Sequence, residues 1–330
     1  MNLAAKFRPQ KFDEIVGQNS LKEILRHGLI SNRPPKVLLF CGTRGVGKTT
    51  AARLFARAVN CENLQNGDPC GECNFCKSFA ENRAVDLIEI DAASHTGVDN
   101  VREIIEKMRF APVAAKNKIY IVDEVHMLSR GAFNALLKTL EEPPAHVFFI
   151  LATTELQKIP ATIQSRCQIF LFRKFTIEQI SDRLRQISAA EKIPISDLQL
   201  AKIARGAAGG MRDAISILEK FRGAEKIDDE ILSDILQIVD ESILSEFWEK
   251  LRAREISAAV EIAEKIFADG FSPQLFWRNF LEFLRQKLRA NLNSPANLPE
   301  ISRAIEVFSP VGENLKICPV DDLPILAAIA

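Results

Sequence analysis

The sequence predicts an α/β fold built on a parallel sheet with helices on both faces, followed by an entirely helical C-terminal part. Three observations carry this. Up to about residue 175, short apolar or β-branched runs alternate with helical patterns, as buried parallel strands and their crossover helices do. The run Gly42-Thr43-Arg44-Gly45-Val46-Gly47-Lys48-Thr49 matches G-x-x-x-x-G-K-[ST] and lies between a strand and a helix. Beyond residue 175 strand signals cease, and amphipathic stretches broken by Gly206, Gly209-Gly210 and Gly223 take over.

The predicted strands are 37–41, 86–91, 118–123, 146–153 and 167–172, with helices at 48–60, 98–108 and 130–141 between them. Pro143-Pro144 ends the third of these helices, since the residue before proline is pushed out of the helical region. Helices follow at 176–191, 196–205, 211–221 and 228–239, and a second helical group at 242–252, 255–269 and 273–291. Residues 293–299 read as a linker, and a helix near 300–308 precedes a proline-punctuated end. Periodicity alone leaves open whether the helical parts form one domain or two.

A chain of 330 residues is long for one core and predicts two or three domains. Hydrophobic residues at 47% and charged residues at 26% are ordinary globular composition and exclude wholesale disorder. Lys+Arg and Asp+Glu are each 43. That balance argues against coating a polyanion by bulk charge, so any nucleic-acid contact is local. There is no 18-residue apolar run and no signal-peptide segment at the N-terminus, so the expectation is a cytoplasmic protein with no membrane partner.

The glycines of the phosphate loop let backbone N–H groups surround phosphate oxygens where a side chain would clash. The helix starting near Lys48 contributes about half a positive charge at its N-terminus. Lys48 is placed for the β- and γ-phosphates, with Thr49 for Mg²⁺ and Thr50 beside them. The strand 118–123 delivers Asp123 and Glu124 at its carboxyl end, where ligands of open α/β sheets bind. Asp123 is expected to position Mg²⁺ and Glu124 to polarise the attacking water; the alternative is that both acids only cap the next helix. His126 reads as a packing or hydrogen-bonding histidine rather than a catalytic one.

Seven cysteines, an odd number, argue against a disulfide framework in a cytosolic chain. Four of them form Cys61-x8-Cys70-x2-Cys73-x2-Cys76, for which a closed tetrahedral Cys₄ zinc site is the natural reading. Gly67, Pro69 and Gly71 shape the loop. The alternatives are an iron–sulfur centre, whose bacterial ferredoxin spacing differs, and unmetallated buried thiols. Cys41, Cys167 and Cys318 have apolar neighbours and read as small core residues.

With these residues in view, the chain resembles the clamp-loader branch of the AAA+ ATPases. The phosphate loop, Asp123-Glu124-Val125-His126, Leu136 to Pro144, Ala152-Thr153-Thr154, Ser165-Arg166-Cys167 and the four-cysteine insertion together resemble the gamma/tau subunit family of bacterial DNA polymerase III, densely over the first 240 residues and loosely beyond. The resemblance implies an AAA+ P-loop base at 1–175 with the zinc module at 61–76, a helical lid at 176–240 and a helical collar at 241–330. It implies ATP, Mg²⁺ and Zn²⁺, and roles for further residues. Arg8-Pro9 and Val16-Gly17-Gln18 pack against adenine. Thr154, ahead of Thr153, senses the γ-phosphate. Arg166 is an arginine finger acting in trans on a neighbouring subunit's ATP, and Arg212, in Gly209-Gly210-Met211-Arg212-Asp213-Ala214, is the lid's sensor.

The implied function is an ATP-hydrolysing motor subunit that opens a sliding clamp and loads it onto primer–template DNA. Its implied partners are the other clamp-loader subunits in a hetero-pentamer. The alternatives are another AAA+ remodelling ATPase and a non-hydrolysing structural subunit. Ser94-His95-Thr96-Gly97 is a candidate DNA-phosphate contact or simply a helix cap. The lack of a long Pro- and Lys-rich tail resembles the short gamma form or a shortened tau form. Trp248, Trp277 and the Phe-rich stretch 276–283 read as helical core ahead of a subunit-contact surface.

Overall fold

The computed structural model describes residues 2–94, 96–236, 239–292 and 298–330; most of the predicted linker 293–299 and two residues of the predicted helix 228–239 lie outside the described residues. The chain divides into two compact units, residues 1–225 and 226–330.

The first unit is organised by five strands, β1 Val37–Cys41, β2 Leu87–Asp91, β3 Lys118–Asp123, β4 Val147–Thr153 and β5 Gln168–Leu171. They form one sheet in the order β2-β3-β4-β1-β5, with every pairing parallel. Every residue of β1 and β4 is buried, as central strands covered on both faces require. Edge strand β5 leaves Ile169 and Leu171 exposed and buries Phe170. The register pairs Cys41 with Thr153 and Asp91 with Asp123, so the carboxyl ends of the strands finish side by side.

Among the described residues, ten α-helices belong to this unit: α1 Leu3–Lys6, α2 Asn19–Ile30, α3 Lys48–Val59, α4 Asn74–Ala80, α5 Val98–Met108, α6 Arg130–Glu141, α7 Ala161–Gln164, α8 Ile177–Glu191, α9 Asp197–Gly206 and α10 Met211–Glu219. Leu39, Tyr120, Val122, Phe149 and Leu151 form a core with Val101 and Met108 of α5 and Phe133, Leu136 and Leu140 of α6. Strand alternation sends Phe148 to the opposite face, where its ring meets Phe55 of α3. Capping boxes start α8 at Thr176 with Gln179 and α9 at Ser196 with Gln199, each satisfying two otherwise orphaned donors.

The predicted strands and the main helices of this unit are present, with ends displaced by a residue or two. The sequence reading missed α2, which has no capping side chain at Gln18 to announce its start. It also missed α4, which is folded into the cysteine segment.

The second unit consists of α11 Asp229–Leu236, α12 Glu241–Arg252, α13 Ile256–Ala268, α14 Pro273–Ala290, α15 Leu298–Phe308, α16 Val311–Ile317 and α17 Leu323–Ile329. Its core gathers Phe247, Trp248, Phe276, Phe280, Phe283 and Phe308. Phe247 meets Phe276 and Phe280 edge-on at centroid distances of 5.1 and 4.9 Å, contacts worth about 0.5–1.5 kcal/mol each beyond burial. Trp277 is half-buried and its Nε1–H donates to Phe308 O at 2.6 Å. These aromatics are therefore core, as their spacing suggested. Two predictions need correction. The expected boundary at 240 falls inside this unit, because Val239 is buried with Leu244 and Phe247. The proline-punctuated end is helical, because Pro324 sits in the first turn of α17, where its missing N–H is harmless.

Candidate functional site

β1 ends at Cys41 and the chain turns through the phosphate loop into α3. Gly45 and Gly47 take left-handed φ values of 80° and 97°, which only glycine adopts without strain. Lys48 is buried, and its ammonium donates to Gly42 O at 2.6 Å and Thr43 O at 3.1 Å. Burial holds its pKa below the usual lysine value, opposed by the charges of Glu124 and Asp123. The arrangement is a desolvated cation aimed at the loop's interior, which suits an anion.

Parallel register brings the end of β3 alongside. Thr49 Oγ1 donates to Asp123 Oδ2 at 2.8 Å, so a hydroxyl and a carboxylate share one point. That is a hard-oxygen donor pair of the kind Mg²⁺ takes. Glu124 has a left-handed backbone, φ 47°, uncommon for a non-glycine residue and characteristic of functional turns. Its N–H donates to Asp123 Oδ1 at 3.0 Å. Its carboxylate Oε2 accepts from the N–H of Thr154 at 3.3 Å and its hydroxyl at 3.1 Å. His126 Nδ1 lies 3.1 Å from Thr153 Oγ1 and 3.4 Å from Glu124 Oε2. His126 is thus hydrogen-bonded to Thr153 and stands beside the acid.

A cavity of about 710 Å³ opens over these groups. Of the residues expected to hold nucleotide, Arg8, Pro9, Val16, Arg44, Gly45, Val46, Gly47, Lys48, Thr49, Thr50 and Arg212 line it, together with Asp123 and Glu124. Gly42 and Thr43 lie outside the lining and serve it through the carbonyls that receive Lys48. A Cβ on Gly42 would come within 2.7 Å of Phe172 O, so that glycine permits a close approach of loop to sheet edge. Gly17 is also outside the lining, packed beside Gln179 of α8. Thr154 reaches the site only through Glu124.

Arg212 arrives on α10. Met211 N–H at the start of that helix donates to Gly45 O at 3.1 Å, and Gly210 abuts Gly45. The third helix after the sheet is therefore bonded directly to the phosphate loop. Burial and the neighbouring Arg53 and Arg212 lower the pKa of Arg8, while Glu89 opposes them. Sequence reasoning missed Phe7, Ile15, Glu89, Arg183, Met211 and Ile215, which also line the cavity. Met211 stands inside the Gly209–Ala214 motif without being marked by it, and no local motif contains the others.

Arg166 is absent from the cavity lining. It stands at the end of α7, donating to Thr162 O at 2.8 Å and pairing with Glu141 at 3.2 Å. The candidate DNA loop has His95 outside the described residues; Gly97 caps α5 with no side-chain hydrogen bond.

The four sulfurs of Cys61, Cys70, Cys73 and Cys76 all lie within 4.8 Å of one another. Tetrahedral zinc with bonds of about 2.3 Å needs sulfurs roughly 3.8 Å apart, so the donor set fits. The N–H groups of Glu72 and Cys73 each donate to Cys70 Sγ at 3.4 Å and pull its pKa down to about 6. Burial pushes the Cys76 thiol up to about 12. Cys41 and Cys167 are raised by burial to about 11 and 12, which fits inert core thiols.

A phosphate loop after β1 of a parallel sheet in this order, with an acid pair after β3 and a helical segment closing over both, defines the AAA+ class of P-loop proteins. The fold is similar to that of the Thermotoga maritima RuvB Holliday junction branch migration motor, with a TM-score of 0.51 and 17% identity over 74% of this chain and 79% of that one. Residues 17–176 match the family profile "DNA polymerase III, delta subunit", and residues 179–220 match "DNA polymerase III clamp loader subunit, ATPase lid domain". The chain is 39% identical to DNA polymerase III subunit gamma of Buchnera aphidicola (Acyrthosiphon pisum), over 86% of this chain and 79% of that protein. It is 44% identical to DNA polymerase III subunit tau of Bacillus subtilis, over 86% of this chain and 50% of that protein. The chain belongs to the DNA polymerase III gamma/tau subunit family. It spans about half the length of the B. subtilis tau relative. Among the described residues no helix is long and apolar enough to cross a membrane.

Proposed function

We propose that this chain is an ATP-hydrolysing motor subunit of the bacterial replicative clamp loader, opening a sliding clamp and loading it onto primer–template DNA with its partner subunits. The observation that supports this most is the convergence of Lys48, the Thr49–Asp123 pair, Glu124 and Arg212 on one cavity, in a chain of this family. Lys48 exchanges its bonds to the loop carbonyls for the β- and γ-phosphates. Thr49 and Asp123 would hold Mg²⁺, which when bound neutralises charge on the phosphate oxygens. Glu124 orients the attacking water once Thr154 releases its carboxylate. Arg212 ties the helical lid to the state of the nucleotide, because α10 already rests on Gly45. Arg166 serves the neighbouring subunit.

Two measurements test this reading. ATP hydrolysis is expected to rise jointly with clamp, partner subunits and primed DNA; turnover indifferent to all three would contradict it. The cysteine module is a structural zinc site, closed by four thiolates. Metal analysis of the purified chain is expected to find about one zinc per chain, and a folded, zinc-free protein would refute that assignment.

A further inference from the structure

Residues 8–16 form one wall of the nucleotide cavity, yet only Arg8, Pro9, Glu14, Ile15 and Val16 face it. The stretch between them turns away and is tied to the cysteine segment. The tie begins at Asn66-Gly67, whose φ values of 53° and 83° are those of a two-residue hairpin turn. Gln65 and Asp68 close it with paired hydrogen bonds of 2.9 and 3.0 Å. A Cβ on Gly67 would lie 3.1 Å from Arg26 Cγ, so the turn packs directly on α2.

This turn aims Asp68, which is buried, into the base of the wall. Asp68 Oδ1 accepts the backbone N–H of Phe12 at 2.7 Å, and Oδ2 accepts from Arg26 Nη2 at 2.7 Å. Arg26 Nη1 reaches on to Asp13 at 2.7 Å. A second tie runs from the other end of the segment. Arg57 is buried, and its guanidinium lies over the Phe79 ring of α4. Its Nη1 donates to Gln10 Oε1 at 2.6 Å, and Gln10 Nε2 donates to Arg8 O at 3.0 Å. The loop between Cys61 and Cys76 and its flanking helix thus grip residues 10–13 from two sides, and those residues carry the wall.

The structure assigns to the cysteine module a role in nucleotide recognition: Asp68, seconded by Arg57, is a positioning residue that sets the wall facing the nucleoside, while the triphosphate is held independently by the phosphate loop. This rests on the nucleotide site proposed above. It predicts a separation that loss of stability alone would not produce. Buried charge-assisted hydrogen bonds are strong and directional, and here they reach residues 10–13 rather than the phosphate loop.

The test compares binding of Mg-ATP and Mg-tripolyphosphate by calorimetry to the full chain. Asp68→Ala is expected to weaken ATP by about tenfold and to leave tripolyphosphate within about twofold. Asp68→Asn, which keeps an acceptor for Phe12 N–H, is expected to fall between. Gln10 is exposed, so Gln10→Ala decides the matter should Asp68→Ala fail to fold; it is expected to weaken ATP about threefold with tripolyphosphate unchanged. Equal weakening of both ligands, or of neither, overturns the inference while leaving the nucleotide site intact. Failure of the unsubstituted chain to bind either ligand removes the site itself, and the inference with it.

Discussion

Lys48→Ala is expected to abolish measurable ATP binding. The ammonium is almost fully buried and held by two loop carbonyls, a desolvated cation placed for a triphosphate. Removing one partner of a buried charge pair costs about 3–5 kcal/mol, a factor of roughly 10²–10⁴ in affinity. Lys48→Met keeps the aliphatic stem and is expected to show the same loss with little change in melting temperature. Its apolar stem fills the place between β1 and α3 that alanine would leave empty. ATP affinity retained by both variants would mean that the phosphate site is elsewhere.

The second large effect belongs to Arg166→Ala. Because Arg166 does not line its own chain's cavity and is held by Thr162 and Glu141, ATP binding is expected to stay within about twofold of the unsubstituted chain. Hydrolysis in the assembled complex is expected to fall by roughly 10³–10⁵, the usual worth of an arginine finger. Arg166→Lys restores the charge without the planar two-donor fork and is expected to recover little. An equal loss of hydrolysis in the isolated subunit would contradict action in trans, since no neighbour is then present to receive the side chain.

Residues Gly42 to Thr49 were legible because loop and cation are contiguous, and Gly45 and Gly47 have a local reason in their left-handed backbone. The same holds for Asp123-Glu124 at the end of an apolar strand, and for the capped helices beginning after Thr176 and Ser196. Helix α2 escaped notice for want of a capping residue. The Asn66-Gly67 turn carries a strong hairpin signal, but it is flanked by a single bridge rather than by strands, so no alternation supports it. Glu89, Arg183 and Ile215 were not legible at all. They reach the cavity from different elements, and a side chain's neighbours across a fold leave no trace in its own flanking sequence.

What the sequence by itself determined is therefore the local chemistry: a phosphate-binding turn, an acid pair, four thiols at metal-ligand spacing and the alternation that makes a parallel sheet. Tertiary structure decided which of these meet. The register between β1, β3 and β4 places Asp123 against Thr49, α10 docks Arg212 beside Gly45, and Asp68 joins the cysteine loop to the cavity wall. Backbone preferences and side-chain periodicity act over a few residues and survive in a linear reading. Packing and buried hydrogen bonds couple residues far apart in the chain, and only the folded arrangement specifies those couplings.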